Sequence, residues 1–301
     1  MSKIAIPFET QNSYIIISGY LTIIGKQPDG DSLGFIPKDF STFNGVYRSH
    51  LLKPSPKDNA LQLRFEGIDT PELHYVSDEQ PFGKQARDHV LSLAKFSNVV
   101  YKKTNGKESS TVISSLPEKV EAFIACNGVE PHGRPICYVF LGTTKYQDGQ
   151  GVQLSTNDLK LSMNYQMLSD GFAYLLTYSS MPKSHADFFR AAAVRAKVAK
   201  KNIWSADTTS QFVLSNKYSV EGIGAQLIFP KLFRRCMDYF NDVEKGFTGT
   251  LIDWLHTKSE RNDMVLQYGS TKEVPFSSLI KQNLKSVKLQ ADINTLIFIE
   301  K

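Results

Sequence analysis

The chain has 301 residues, of which 41% are hydrophobic and 22% are charged. This composition excludes an intrinsically disordered protein, and the length is enough for one large domain or two ordinary ones. The formal net charge is +5. Such a mildly basic protein fits a polyanionic partner, but many basic proteins never bind nucleic acid.

Cysteine content and hydropathy bear on the compartment. The three cysteines are odd in number and contain no C-x-x-C pair, which favours reduced thiols in an intracellular protein. One bridge between Cys126 and Cys137 stays open as an alternative, because they flank a predicted turn. Residues 1–21 lack a signal-peptide pattern, and no segment reaches the roughly 18 apolar residues of a membrane span. We therefore predict a cytoplasmic protein with no membrane partner.

Strand signals dominate the first part of the chain. β-Branched residues predict a strand over 14–24 that ends at a turn over 27–31, and alternation predicts another strand over 61–65. Prolines and glycines predict a loop over 34–57. Apolar residues at helical spacing predict a helix over 82–97.

The middle of the chain continues this mixture. Strands are predicted over 99–103, 120–126 and 135–141, the last two joined by a segment that opens with the turn dipeptide Asn127-Gly128. Helices are predicted over 157–170, with Gly171 as the C-cap, and over 186–203. Strands with appended helices, without regular βαβ alternation, indicate an α+β domain over 1–208.

Residues 209–301 differ in character and are called the C-terminal module below. The pattern predicts a helix over 225–240 that is interrupted near Pro230, strands or a short helix over 246–256 and 264–268, and a terminal strand over 294–299. We interpret this part as a second module or an α/β extension of unknown family. It is also a candidate for oligomerisation or for docking a protein partner.

Two acidic segments are candidates for chemistry. Asp29-Gly30-Asp31 follows one strand and Asp69-Thr70-Pro71-Glu72 follows another, so carboxylates lie at strand ends where a hard cation such as Ca²⁺ finds oxygen ligands. Each segment alone also has an ordinary explanation. Asp-Gly is a common turn, and Thr70-Pro71-Glu72 has the residues of a helix start.

Two arginines complement these acids. Arg64 lies in an apolar strand five residues before Asp69, and strict alternation places the two on opposite faces unless Gly67 hosts a bulge or bend. Arg134 follows Gly133 at the entry to the next strand. A guanidinium binds two phosphate oxygens at once, although an arginine near a strand end is usually a surface residue.

Together the residues supply what phosphodiester hydrolysis requires. A metal polarises the phosphoryl oxygen, arginines take up developing charge, and a carboxylate orients or deprotonates water. The six histidines show no metal-ligand spacing with one another or with cysteine, which argues against a zinc site.

The chain resembles the staphylococcal nuclease (thermonuclease) family in six elements that occur in the family's order between residues 14 and about 205. They are Asp29-Gly30-Asp31-Ser32, Arg64-Phe65-Glu66-Gly67-Ile68-Asp69-Thr70-Pro71-Glu72, Phe82-Gly83-Lys84-Gln85-Ala86, His132-Gly133-Arg134, Gly171-Phe172-Ala173 and Lys201-Asn202-Ile203-Trp204. Ser32 replaces the family's threonine and His132 replaces its tyrosine. The loop before residue 61 is longer than in minimal members.

The resemblance implies a five-stranded OB-fold barrel packed with three helices. It implies Ca²⁺ held by Asp31, Asp69 and the backbone carbonyl of Thr70, with Arg64 and Arg134 on the scissile phosphate and Glu72 as the candidate general base. It further implies cleavage of DNA or RNA on the 5′ side of the phosphate with low sequence specificity. Candidate substrate-binding residues are His132, Tyr178 and Lys84.

Two other interpretations remain open. Some members of this family are inactive and use the barrel to bind nucleic acid or protein. In the C-terminal module, basic and aromatic residues alternate as in nucleic-acid surfaces, although the same pattern more often marks a helix that packs its aromatic face inward (Phe229, Lys231, Phe233, Arg234, Arg235, Tyr239).

Overall fold

The computed structural model describes residues 13–104 and 106–300. Its strands are β1 Tyr14–Thr22, β2 Gly34–Pro37, β3 Leu61–Gln62, β4 Arg64–Phe65, β5 Ile68–Asp69, β6 Ser97–Thr104, β7 Lys107–Leu116, β8 Lys119–Val129, β9 Pro135–Leu141, β10 Gly151–Val152, β11 Tyr174–Leu175, β12 Thr177–Tyr178, β13 Gln211–Val213, β14 Met264–Gln267, β15 Val274–Pro275, β16 Ile280–Asn283, β17 Ser286–Leu289 and β18 Leu296–Phe298. Its α-helices are α1 Gly83–Leu93, α2 Thr156–Lys160, α3 Met163–Ser169, α4 Lys183–Val198, α5 Pro230–Glu244 and α6 Leu251–Thr257.

The N-terminal half is built around a nearly closed sheet. Its strands follow the order β3-β2-β1-β8-β9-β4, with β10 added beside β1. The two edge strands β3 and β4 are separated in the chain by Leu63 alone, so the sheet must curl until its edges approach each other. The predicted α+β class with a barrel-like sheet is confirmed.

Helices α1, α2, α3 and α4 pack against this sheet. Their apolar residues, among them Val90 of α1, Met167 of α3 and Phe189 of α4, join one hydrophobic core with the inward side chains of the strands. The predicted helix over 157–170 is two helices, because Ser162 ends α2 and its side chain accepts a hydrogen bond from the Tyr165 N–H at the start of α3. Gly171 follows with φ +78°, the left-handed conformation predicted for a C-cap.

Two local predictions were wrong. Asn127-Gly128 is not a turn, because β8 continues through it to Val129 with a register shift, and the chain reverses at 130–134 instead. The segment 34–57 is not only loop, because it contains β2, which pairs with β1, and 3₁₀ turns at Phe40–Gly45 and Ser49–Leu51. Short strands at a barrel edge carry too little periodicity to be seen in sequence.

Residues 209–301 share a second hydrophobic core with residues of the first 208. Tyr174, Leu176 and Trp204 belong to the same buried cluster as Phe229 and Phe298. Strand β18 pairs in parallel with β12. Helix α5 begins at Pro230, where a missing N–H is tolerated, rather than being interrupted there. The boundary at 208/209 stays a prediction.

The structure also bears on the three cysteines and on membrane-spanning helices. All three cysteines are free and buried, and Cys126 lies opposite Cys137 across the β8–β9 pair. Within residues 13–104 and 106–300, no helix is both long and apolar enough to cross a membrane.

Candidate active site

The first acidic segment forms a tight turn against the second. Backbone hydrogen bonds join Asp29 and Ser32, and the Phe65 N–H donates to the Asp31 carbonyl at 3.0 Å. A Cβ on Gly30 would lie 2.7 Å from Oγ1 of Thr70, so only glycine permits this approach. Asp31 is thereby brought beside Arg64–Phe65 and Thr70.

A bend at Gly67 places Arg64 and Asp69. Arg64 pairs with Ile136 in β9, whereas Asp69 pairs with Tyr174 in β11. Between them Gly67 has φ +79°, which bulky residues avoid. The chain therefore leaves one strand and enters another sheet within five residues, which is the bend that the sequence predicted at Gly67.

The segment after Asp69 is not a helix start. Thr70, Pro71 and Glu72 have irregular backbone, and α1 begins at Gly83. The Glu72 N–H donates to the side-chain Oε1 of Gln80 at 3.1 Å, and the Gln80 N–H donates to the Glu72 carbonyl at 2.7 Å. These two hydrogen bonds hold Glu72 in place without helical geometry, so the capping explanation of Thr70-Pro71-Glu72 is wrong.

Asp31, Asp69 and Glu72 form what we call the acid cluster. Burial raises the pKa of Asp31 to about 6, with Arg64 opposing this and the charges of Asp69 and Glu72 adding to it. Burial likewise raises the pKa of Glu72, and it raises the pKa of the neighbouring Asp29 well above its ordinary value. Carboxylates that perturb one another in this way share one site, and such sites are enriched at functional positions.

Arg64 adjoins the acid cluster. Burial alone would lower its pKa, but Tyr178, Asp31 and Asp69 more than offset this, so the pKa of Arg64 is raised. A cation held beside acids and partly buried is placed to meet an anionic substrate.

A second arginine, from the C-terminal module, binds the acid cluster directly. Nη1 and Nη2 of Arg234, on α5, lie 3.1 and 2.9 Å from the two carboxylate oxygens of Asp69, and Nη1 also binds Oε1 of Glu72. Asp69 is 1% exposed and the Arg234 side chain 18% exposed. Asp69 and Glu72 raise the pKa of Arg234 well above its ordinary value, although burial opposes them.

A calcium ion at the acid cluster would need oxygens that Arg234 occupies. Oxygen ligands of the acid cluster suit Ca²⁺ in kind. However, both oxygens of Asp69 are taken by Arg234. Among the described residues no three acidic, histidine or cysteine side chains are arranged to hold a metal ion. In this conformation, therefore, the residues do not fit the ion.

Within the described part of the chain, Arg134 and His132 make no ion pair with the acid cluster. Nε of Arg134 lies 3.0 Å from Oε1 of Glu130, four residues earlier in the same turn. This is its only ion pair within the described part of the chain. Arg134 precedes β9 by one residue, and Ile136 of that strand pairs with Arg64, so the strands bring the two arginines near each other. His132 is exposed at the tip of the turn.

Tyr178 and Lys84 also differ in placement. Tyr178 is close enough to Arg64 and Asp69 for their charges to act on its pKa. Its hydroxyl accepts a hydrogen bond from Nζ of Lys231 at 3.0 Å. Its ring is partly buried and packs on the second core. Lys84 is exposed on α1 and pairs weakly with Glu79 at 4.0 Å.

Arg234 is the residue that sequence reasoning missed. Its only signal was the basic and aromatic pattern of α5. The structure turns those basic side chains inward: Lys231 binds Tyr178, Arg235 binds Asp263, and Arg234 binds the acid cluster. These three basic side chains are therefore engaged in contacts within the chain.

A family model supports the resemblance. The family model for staphylococcal nuclease homologues matches residues 62–206, which span Arg64, Asp69, Glu72 and Arg134 but leave Asp31 before the match. A comparison with curated protein sequences finds no match. Arg64, the bend at Gly67, Asp69 and Glu72 lie within the matched region, and residues 62–206 thus belong to a domain of the staphylococcal nuclease homologue family.

Proposed function

We propose that the protein is a nuclease that hydrolyses phosphodiester bonds of DNA or RNA with low sequence specificity. One observation carries the proposal. Asp31 interacts with Arg64, Asp69 and Glu72, although it lies more than 30 residues before them, and these three residues lie within the region that the nuclease family model matches.

The proposed roles follow from charge and position. Arg64 binds a non-bridging oxygen of the scissile phosphate and stabilises the charge that grows there in the transition state. Glu72, once ionised, accepts a proton from the attacking water. Arg134 adds a second guanidinium after it exchanges Glu130 for phosphate. The P–O bond on the 5′ side breaks, as the family resemblance implies.

We propose calcium dependence only for a conformation in which the guanidinium of Arg234 no longer contacts Asp69. In that form Asp31, Asp69 and the Thr70 carbonyl are the expected ligands. The roles given above use the chain's own groups alone. A cytoplasmic location is also proposed, supported by three buried, unbridged thiols.

A second candidate function is nucleic-acid binding without cleavage. The contact of Arg234 with Asp69 and Glu72 favours it, because it occupies the groups that catalysis needs. Binding without cleavage would then depend on the remaining basic surface of the family domain.

Digestion of end-labelled single-stranded DNA and RNA by the full-length protein, in excess calcium or in chelator, separates the two functions. We expect cleavage in calcium, reduced by roughly 10²–10³-fold in Arg64→Ala, the usual loss for one transition-state donor. Arg195→Ala, which removes an exposed arginine on α4 that binds Tyr165, is the charge-matched control. Nucleic-acid binding in a gel-shift assay without any cleavage supports the second candidate, and undiminished cleavage by Arg64→Ala refutes the proposed roles.

A further inference from the structure

Helix α5 is fixed against the segment that carries Glu72. Nε2 of Gln80 donates to the Ile228 carbonyl at 2.8 Å, while Oε1 of the same side chain accepts from the Glu72 N–H. The Tyr75 hydroxyl donates to Asp238 at 2.8 Å. These bonds, made on both sides of residue 234 in the chain, hold the backbone of α5 over the acid cluster.

The side chain of Arg234 completes this contact as a fork. Two guanidinium nitrogens donate hydrogen bonds to the two carboxylate oxygens of Asp69, and one of these nitrogens, Nη1, also donates to Glu72. Such bidentate pairs are the strongest that arginine makes, and they are least screened when buried. The guanidinium therefore supplies, from within the chain, the positive charge that a buried Asp69 requires.

A metal ion and this guanidinium need the same oxygens. An ion bound by Asp69 would lie against the positive charge of Arg234, and both cannot hold the same lone pairs. Without Arg234, three carboxylates would face Arg64 alone, a formal excess of about two negative charges at neutral pH. That excess matches a divalent cation.

We propose that Arg234 is a built-in competitor for the cation position of the active site, so that a divalent ion binds only when the guanidinium swings away from Asp69. The inference rests on the proposed function for its biological role. The competition itself concerns only ion binding, which can be measured without cleavage. Because α5 is packed into the second core through Leu232, Phe233 and Cys236, the side chain moves while the helix stays.

The competition has a defined thermodynamic consequence. The apparent dissociation constant of the ion equals its intrinsic value divided by the fraction of molecules whose site is open. If Arg234 is docked in 90–99% of molecules, its removal tightens the apparent affinity by roughly 10- to 100-fold.

Calcium titration by calorimetry on the full-length protein tests the proposal, with wild type, Arg234→Ala, Arg234→Lys and the control Arg195→Ala. We expect binding to one site to tighten at least about tenfold in Arg234→Ala. Arg234→Lys should be intermediate, because an ammonium cannot fork across Asp69. Arg195→Ala should match wild type, and Asp31→Asn added to Arg234→Ala should abolish the gain.

Arg234→Ala leaves Asp69 without a partner, so its folding must be followed as well. A bound ion stabilises the native state, and we expect calcium to raise the melting temperature of this variant more than that of wild type. If the variant fails to fold even in calcium, Arg234→Lys decides. Calcium affinity of Arg234→Ala or Arg234→Lys equal to or weaker than that of wild type overturns the proposal.

Cleavage measured on the same samples separates this inference from the proposed function. Tighter calcium binding without cleavage keeps the competition and refutes the nuclease. Cleavage without any gain in calcium binding keeps the nuclease and refutes the competition.

Discussion

Glu66 and Asp69 lie three residues apart on either side of the bend at Gly67, and both are buried, at 7% and 1% exposure. Asp69 faces the acid cluster and is bound by Arg234. Glu66 faces the barrel core, where the Tyr14 hydroxyl and Nδ2 of Asn127 donate to its Oε1 at 3.2 and 3.3 Å. Its Oε2 is buried without a hydrogen-bond partner in the described part of the chain.

The difference shows two ways to keep a carboxyl group out of water. Asp69 has a cation supplied by the C-terminal module, so its charge is balanced in place. Glu66 has no cation partner among the described residues, and burial raises its pKa to about 8 despite the hydrogen bonds from Tyr14 and Asn127. A single glycine bend thus separates a site suited to ionic chemistry from a neutral core.

The largest expected effect is at Asp69. In Asp69→Asn the guanidinium of Arg234 loses its forked partner while it stays largely buried, and breaking such a pair costs about 3–5 kcal/mol. We expect the free energy of unfolding, measured by urea denaturation at neutral pH, to fall by about 3 kcal/mol.

The double variant Asp69→Asn, Arg234→Met is the control for that prediction. It removes both charges and should recover part of the loss, because no unpaired guanidinium remains. Equal losses in the single and double variants would show that Asp69 and Arg234 are not coupled, and the comparison with Glu66 would fail.

A smaller effect, dependent on pH, is expected at Glu66. The unfolded chain loses this proton near its ordinary pKa of 4.5, whereas the folded protein keeps it to about pH 8. The unfolded state therefore binds fewer protons in this window, and stability falls as pH rises, by up to about 1.4 kcal/mol per pH unit.

Urea denaturation of wild type and Glu66→Gln between pH 5 and pH 8 measures this slope. Glutamine stays neutral, so the difference between the two free energies of unfolding should drift steadily with pH in favour of the variant. The pH-independent part of this difference does not report on the ionisation of Glu66, because the glutamine amide also occupies the position where Oε2 has no hydrogen-bond partner in the described part of the chain. A pH-independent difference would mean that Glu66 is ionised in the fold.

The smallest effect is expected at Glu130, which has a cation partner but lies nearer the surface. Its pair with Arg134 joins side chains 12% and 31% exposed, and contacts of this kind contribute about 1 kcal/mol or less. Glu130→Gln should therefore cost under about 1 kcal/mol in the same assay. A loss as large as that in Asp69→Asn would remove the distinction between the acid cluster and the turn at 130–134.

Much of this site could be predicted from local patterns. The Asp29-Gly30-Asp31 turn, the strand of Arg64 and the bend at Gly67 depend on neighbouring residues, and ordered motifs indicated the family. The contact between Arg234 and Asp69 could not be predicted in this way, because it joins residues 165 positions apart. The hydrophobic periodicity of α5 does not indicate which of its faces packs against residues 1–208.

Two other features depend on tertiary structure. The role of Tyr178 at the substrate stays a prediction, and the packing of its ring on the second core could not be predicted from local patterns. The turn at 130–134 was placed at Asn127-Gly128, because a strong turn dipeptide gives no information about whether the flanking strand continues through it. At that turn, tertiary pairing overrides local propensity.

The most direct test is a crystal structure of the wild-type protein grown at saturating calcium, with the ion identified by its anomalous signal. We predict that, wherever the ion is bound by Asp31 and Asp69, the guanidinium of Arg234 lies beyond hydrogen-bond distance of both Asp69 oxygens. A calcium ion bound by Asp31 and Asp69 while Arg234 keeps its two contacts to Asp69 would contradict the account.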